Sequence, residues 1–178
     1  MIGEIIIFKK IPQIAGFLLL FGLIVILVLN INDTPKTENR TESDKASNFK
    51  LSTLDGYEIE LNEFKGKGIM INFWASWCGP CKREMPLIQK VYNEYKEQDF
   101  EILAVNVGES KEAINNFLND NPLLNFPILL EDESISNEYK VYYLPTTYFI
   151  NADGDIVEHY VGELNEDQLH RFIESILP

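Results

Sequence analysis

A chain of 178 residues, 46% hydrophobic and 24% charged, has the make-up of one folded domain with additions. It holds 28 acidic and 15 basic residues, a net charge of −13, and all of the excess falls after residue 45. Such a surface repels nucleic acid and anionic headgroups, so no nucleic-acid partner is expected. The charge serves either neutral or basic partners or solubility alone.

In chain order, residues 1–13 form a short N-terminus ending near Lys9 and Lys10, and residues 14–31 are an uncharged apolar run beginning IAGFLLLFGLIVILVL. That run approaches the length of a membrane-spanning helix, and the lysines before it predict a cytoplasmic N-terminus with the remainder exported. A cleaved signal peptide is the competing reading. The following VLNINDTPK offers no small-residue pair for cleavage and no lipid-bearing cysteine, which favours an uncleaved anchor held in lipid. Residues 32–48 lack large apolar side chains and read as a flexible polar tether.

The domain expected over 49–178 opens with a hairpin around Asp55-Gly56 between Leu51 and Leu61. Gly68–Trp74 and Phe100–Val107 are continuous apolar runs of strand length, as in strands buried on both faces. Between them, Met85, Ile88, Val91, Tyr92 and Tyr95 recur at helical spacing within 78–96. A capped helix is predicted over 110–119, a third strand over Phe126–Leu130, and a hairpin of 146–150 with 156–161 around Gly154. A last helix opens at Asn165 and turns Leu169, Phe172, Ile173 and Ile176 inward. This order gives an α/β fold, a central mixed sheet with helices on both faces and parallel pairs among the long strands.

The chemistry concentrates in Asn72–Pro86, NFWASWCGPCKREMP. Cys78 falls where a buried strand gives way to a helix, and Cys81 follows one turn on. A helix N-terminus presents unpaired N–H groups and the positive end of the helix dipole, both of which favour a thiolate. Cys78 is therefore the expected nucleophile and Cys81 the thiol that resolves the mixed disulfide, with Gly79 and Pro80 shaping the turn. A purely structural disulfide across so short a loop stabilises little, roughly 2 kcal/mol. A zinc site lacks further cysteines, so no metal and no cofactor are expected. His159 and His170 lie on predicted regular elements and receive no role.

WCGPC resembles thioredoxin, and LAVNVGES, NFPILL and YLPTTYFINADG extend the likeness to the ResA/TlpA-type membrane-anchored thioredoxins. The resemblance implies the thioredoxin-like fold and a redox-active Cys78–Cys81 disulfide. It implies a cis Pro145 whose preceding backbone, at Leu144, meets the substrate alongside Trp77, Gly79 and Pro80; a trans proline opening a strand is the alternative. It implies as well that Glu84 is an active-site carboxylate rather than a solvated helix residue. Asn72 and Ala104 stand where thioredoxin has a buried Asp and a Lys, and Gly79 where the ResA type often has Glu. The activity implied is reduction of extracytoplasmic disulfides, such as the Cys-x-x-Cys-His pair of apocytochrome c, with electrons from a CcdA-type membrane dithiol protein. An oxidant or isomerase of exported proteins is the alternative. Peroxidase chemistry is disfavoured by Ala75, where peroxidases of this fold place Thr, and a redox-inert binding module by the paired cysteines.

Overall fold

The computed structural model describes residues 45–178. The expected N-terminus, the apolar run of 14–31 and nearly all of the tether lie outside the described residues. Among the described residues, no helix is long and apolar enough to cross a membrane.

Seven strands form one sheet: β1 (Lys50–Thr53), β2 (Glu58–Glu60), β3 (Gly68–Trp74), β4 (Phe100–Val107), β5 (Ile128–Glu131), β6 (Thr146–Ile150) and β7 (Ile156–Val161). Their order is β2-β1-β5-β4-β3-β6-β7. β3, β4 and β5 run parallel, whereas β6 pairs antiparallel with β3 and β7 antiparallel with β6. Every residue of β3 is buried, as a central strand covered on both faces requires. Gly68 opens it because a Cβ there would lie 2.8 Å from the carbonyl oxygen of Ile176.

Among the described residues, four α-helices accompany the sheet, α1 (Gly79–Tyr95), α2 (Lys111–Asp120), α3 (Ser134–Glu138) and α4 (Glu166–Glu174), with a 3-10 helix at Leu61–Phe64. The sheet's two faces are clothed unequally. β3-α1-β4 and β4-α2-β5 step across the sheet in the same direction, so two right-handed crossovers place α1 and α2 on one face. Their side chains Met85, Ile88, Ile114 and Phe117 join Met70, Trp74, Ile102 and Phe149 there, and α4 adds Leu169 and Ile173. The other face holds Ile71, Phe73, Leu103, Val105 and Tyr148 under Phe49, Leu61 and Tyr139, with Ile135 from α3 packed against them. Helices on both faces thus holds on that side only through the five-residue α3 and the short 3-10 helix Leu61–Phe64; entry segment and loops do most of the covering there.

The chain enters at the β6–β7 turn. Ala46 N–H donates to Gly154 O at 3.0 Å, and Lys45 Nζ lies 2.5 Å from Asp155. Because Ile69 pairs with Ile150, that turn sits at the Gly68 end of β3. The strand's other end, Trp74, leads to the cysteines.

Candidate active site

β3 ends at Trp74, and the next residues turn into α1 with Cys78 as its N-cap. Cys78 and Cys81 form a disulfide of S–S 2.06 Å. The Cys78 sulfur also accepts from Cys81 N–H at 3.2 Å, so it occupies the place of a helix-capping acceptor. Gly79 and Pro80 fill the first turn, where proline's missing N–H costs nothing. Cys78 is 5% exposed and Cys81 0%. The order of access is the expected one, but Cys78 is less open than its position at a helix end suggested. Pro86 interrupts α1 without ending it.

The Leu144–Pro145 peptide is cis. Pro145 O accepts from Gly162 N–H at 2.9 Å, and Tyr143 O accepts from Thr146 Oγ1 at 2.7 Å, which fixes this segment from both sides. Exposed aromatic rings accompany it: Trp77 just before the nucleophile at 70%, and Tyr142 and Tyr143 just before Leu144 at 78% and 73%. Large apolar rings left in water mark a contact surface.

Glu84 is 1% exposed, which rules out the solvated-helix reading. One turn beyond Cys81, it shares a helix face with that thiol. Its Oε1 accepts from Asn72 Nδ2 at 3.0 Å and its Oε2 from Leu164 N–H at 3.0 Å. Burial pushes its carboxyl up from the ordinary value to about 7; the Leu164 and Asn72 hydrogen bonds oppose that rise, and Glu163 adds to it. A carboxyl poised there can take and return a thiol proton near neutrality.

A second carboxylate, Glu109, escaped the sequence reading. It accepts from Ser76 N–H at 2.6 Å, Ser76 Oγ at 2.5 Å and Asn106 Nδ2 at 2.7 Å. The loop that carries Trp77 and Cys78 is thereby fastened to the end of β4. The signal available was Asn106-x-x-Glu109 running off the end of a strand, but its partner Ser76 lies 33 residues away.

The histidines take part in packing. His159 stacks on Tyr148 with ring centroids 4.3 Å apart, and His170 Nδ1 is 2.9 Å from Tyr95 Oη. Among the described residues no cluster of acidic, His or Cys side chains is placed to hold a metal ion.

A helix-capping disulfide after β3 and a cis proline before β6, both at the Trp74 end of that strand pair, on a thioredoxin-like sheet define a thiol–disulfide exchange protein. The AhpC/TSA family model matches residues 43–159, and this chain belongs to that family. It is 42% identical over 142 residues to the thiol-disulfide oxidoreductase ResA of Bacillus subtilis (strain 168), covering 79% of each chain. With the ResA of Bacillus thuringiensis (strain Al Hakam) it shares 37% identity over 169 residues, 90% of this chain and 97% of that one. Among solved structures, a putative thiol:disulfide interchange protein DsbE from Chlorobium tepidum matches with a TM-score of 0.71 at 28% identity, over 77% of this chain and 98% of the other. The protein is a thiol–disulfide oxidoreductase of the thioredoxin-like fold.

Proposed function

We propose that this enzyme works as a reductant outside the cytoplasm, held to the cell membrane by residues 14–31. Its substrates are protein disulfides, among them the haem-binding Cys-x-x-Cys-His pair of apocytochrome c, and its electrons come from a CcdA-type membrane dithiol protein. The observation that carries the reductant reading is the buried Glu84 one turn behind Cys81. A negative charge there opposes a second anion, so the reduced form gains less from its thiolate than it does in oxidants. The cations that follow the cysteines do not offset this: Lys82 is exposed, and Arg83, also exposed, is paired with Glu163. For the anchor, the support is the apolar run itself and a 169-residue likeness to a ResA that is longer than the domain described.

In the forward reaction the Cys78 thiolate attacks one sulfur of the substrate disulfide. That bond breaks, a mixed disulfide forms, and the departing substrate sulfur leaves as a thiolate that takes a proton from water. Glu84 then accepts the Cys81 proton, and the Cys81 thiolate attacks the Cys78 sulfur. The Cys78–substrate bond breaks, the second substrate sulfur leaves as a thiolate that takes a proton from water, and the Cys78–Cys81 disulfide closes. Trp77, Tyr142, Tyr143, Leu144 and Pro145 provide the surface for the extended substrate chain.

Equilibration against dithiothreitol buffers, read by Trp74 and Trp77 fluorescence, is expected to give a midpoint below about −220 mV. A midpoint above about −180 mV overturns the reductant reading and favours the oxidant or isomerase. A Cys81→Ser variant is expected to retain a Cys-x-x-Cys-His peptide as a mixed disulfide through Cys78. Failure to trap that peptide, while other disulfide proteins are trapped, removes the apocytochrome assignment. Fractionation of the full chain with its N-terminus intact, in membranes, checks the anchor; a shortened soluble form overturns it.

A further inference from the structure

Asn72 is fully buried at the middle of β3, paired in register with Thr147 on β6. Its Nδ2 donates both protons, one to Glu84 Oε1 at 3.0 Å and one to Thr147 Oγ1 at 3.0 Å. Its Oδ1 is buried and has no hydrogen-bond partner among the described residues. A buried amide oxygen left without a donor is costly, and nothing on that side fixes which end of the amide faces Glu84. The two partner atoms on the other side, Glu84 Oε1 and Thr147 Oγ1, suit both directions. An ionised Glu84 accepts only and needs the NH2. A protonated Glu84 carries one O–H and needs an acceptor, and a half-turn of the Asn72 amide supplies it. The Thr147 hydroxyl accepts from the NH2 in the first arrangement and donates to the carbonyl in the second.

We propose that Asn72 is a positioning residue for the exchange reaction, its amide donating to the ionised Glu84 carboxylate and, turned by half a revolution, accepting from the protonated carboxyl while Thr147 reverses its own hydrogen bond. The proposal rests on Glu84 as the holder of the Cys81 proton. When that proton moves, Cys81 becomes a thiolate, Glu84 becomes a neutral acid, and the amide turns to match. The change reaches Thr147, two residues past the cis Pro145. The proton held on Glu84 is thereby registered on the strand that continues from the cis proline.

The other titratable or charged groups around Glu84 are Cys78 and Cys81 on its own helix and Glu163, paired with Arg83, from the β7–α4 loop. β3 and β6 contribute the neutral Asn72 and Thr147. Among the described residues, Asn72 is thus the side chain that donates a hydrogen bond to this carboxyl.

The test reads Glu84 directly, by carbon NMR of its carboxyl across pH in the oxidised protein. Asn72→Leu removes a charge-assisted donor at similar volume, and the Glu84 midpoint is expected to rise by about one pH unit, a tenfold change in proton affinity. An unmoved midpoint in folded Asn72→Leu overturns the proposal. Should that variant fail to fold, Asn72→Asp decides. Two facing acids then share a proton, and the carboxyl is expected to titrate in two separated steps, collapsing to one in Asn72→Asp with Glu84→Gln. A single step at the wild-type midpoint overturns the proposal equally. The reading beneath it has a separate check. If, in reduced Cys78→Ser, Glu84→Gln leaves the thiolate absorbance curve of Cys81 unchanged, Glu84 is not the holder of the Cys81 proton, whereas the Asn72 result on the oxidised protein still stands or falls by itself.

Discussion

Glu84 follows the cysteines on α1 and Glu109 holds Ser76 just before them, and the chain surrounds the two differently. Glu84 is sealed under α1 and meets two donors, one on each oxygen. Glu109 is half-buried and gathers three, two of them from Ser76. Burial without enough donors leaves a carboxylate uncomfortable in its charged form, so Glu84 is set to exchange a proton. Many donors make the other a fastening for the nucleophile's loop. Two residues of one chemical type, in one site, are divided between proton chemistry and architecture by how many N–H and O–H groups the backbone brings to each.

The sharpest way to break this contrast is through pH. The folded-state value of Glu84 is raised from 4.5 to about 7. Its contribution to stability is therefore fully present below the unfolded value and is lost as pH rises through the folded one. Urea unfolding of the oxidised wild type, measured against Glu84→Gln, is expected to show wild type losing about 3 kcal/mol relative to the variant between pH 4 and pH 8. Parallel pH profiles would make Glu84 a second fastening and erase the contrast.

Removing the fastening comes next in size. Glu109→Ala strands the buried Asn106 amide and the Ser76 N–H, and is expected to cost about 2 kcal/mol. Iodoacetamide labelling of reduced Cys78 should change severalfold as its loop loosens, while Cys81 continues to label more slowly. A variant as stable as wild type, with unchanged labelling, would show that Ser76 is held by other means.

Smaller effects should follow at the aromatic rim. Trp77→Ala and Tyr143→Ala are expected to raise KM for a disulfide-bonded peptide several-fold, with kcat and stability little changed, because these rings are exposed and belong to the proposed substrate surface. Smallest of all is Arg83→Ala. Its partner Glu163 is a surface residue, so the loss should stay within about 0.5 kcal/mol, by the same unfolding assay.

The strands were legible because their runs are apolar without interruption. GIMINFW and FEILAVNV are buried throughout or nearly so. Ser110 caps α2 and Asn165 caps α4, as the local signals indicated. β5 begins two residues later than expected because Phe126 packs edge-on against Tyr92, and the ladder starts beyond Pro127. α3 was not visible at all. Its N-cap Glu133 adopts φ 71 and makes no side-chain cap, and SISNE has little apolar periodicity. At the site, the cysteines were readable because they lie within one turn at the start of a helix, and Glu84 was reached through the resemblance, on that same helix. Asn72, Thr147 and Glu109 acquire their meaning across 12, 75 and 33 residues of chain, distances over which pattern carries no information.

The narrow access to Cys78 sets a rule of traffic. With Cys81 fully covered and 5% of Cys78 showing, donor and acceptor must each present a sulfur to the same sulfur through the same opening. They cannot occupy it together, so the two half-reactions alternate and each partner inhibits the other when in excess. Initial rates plotted against one partner at several levels of the second should give parallel double-reciprocal lines. A surplus of electron donor would then slow the delivery of electrons to substrate, because the docking place would be taken by the party that fills it.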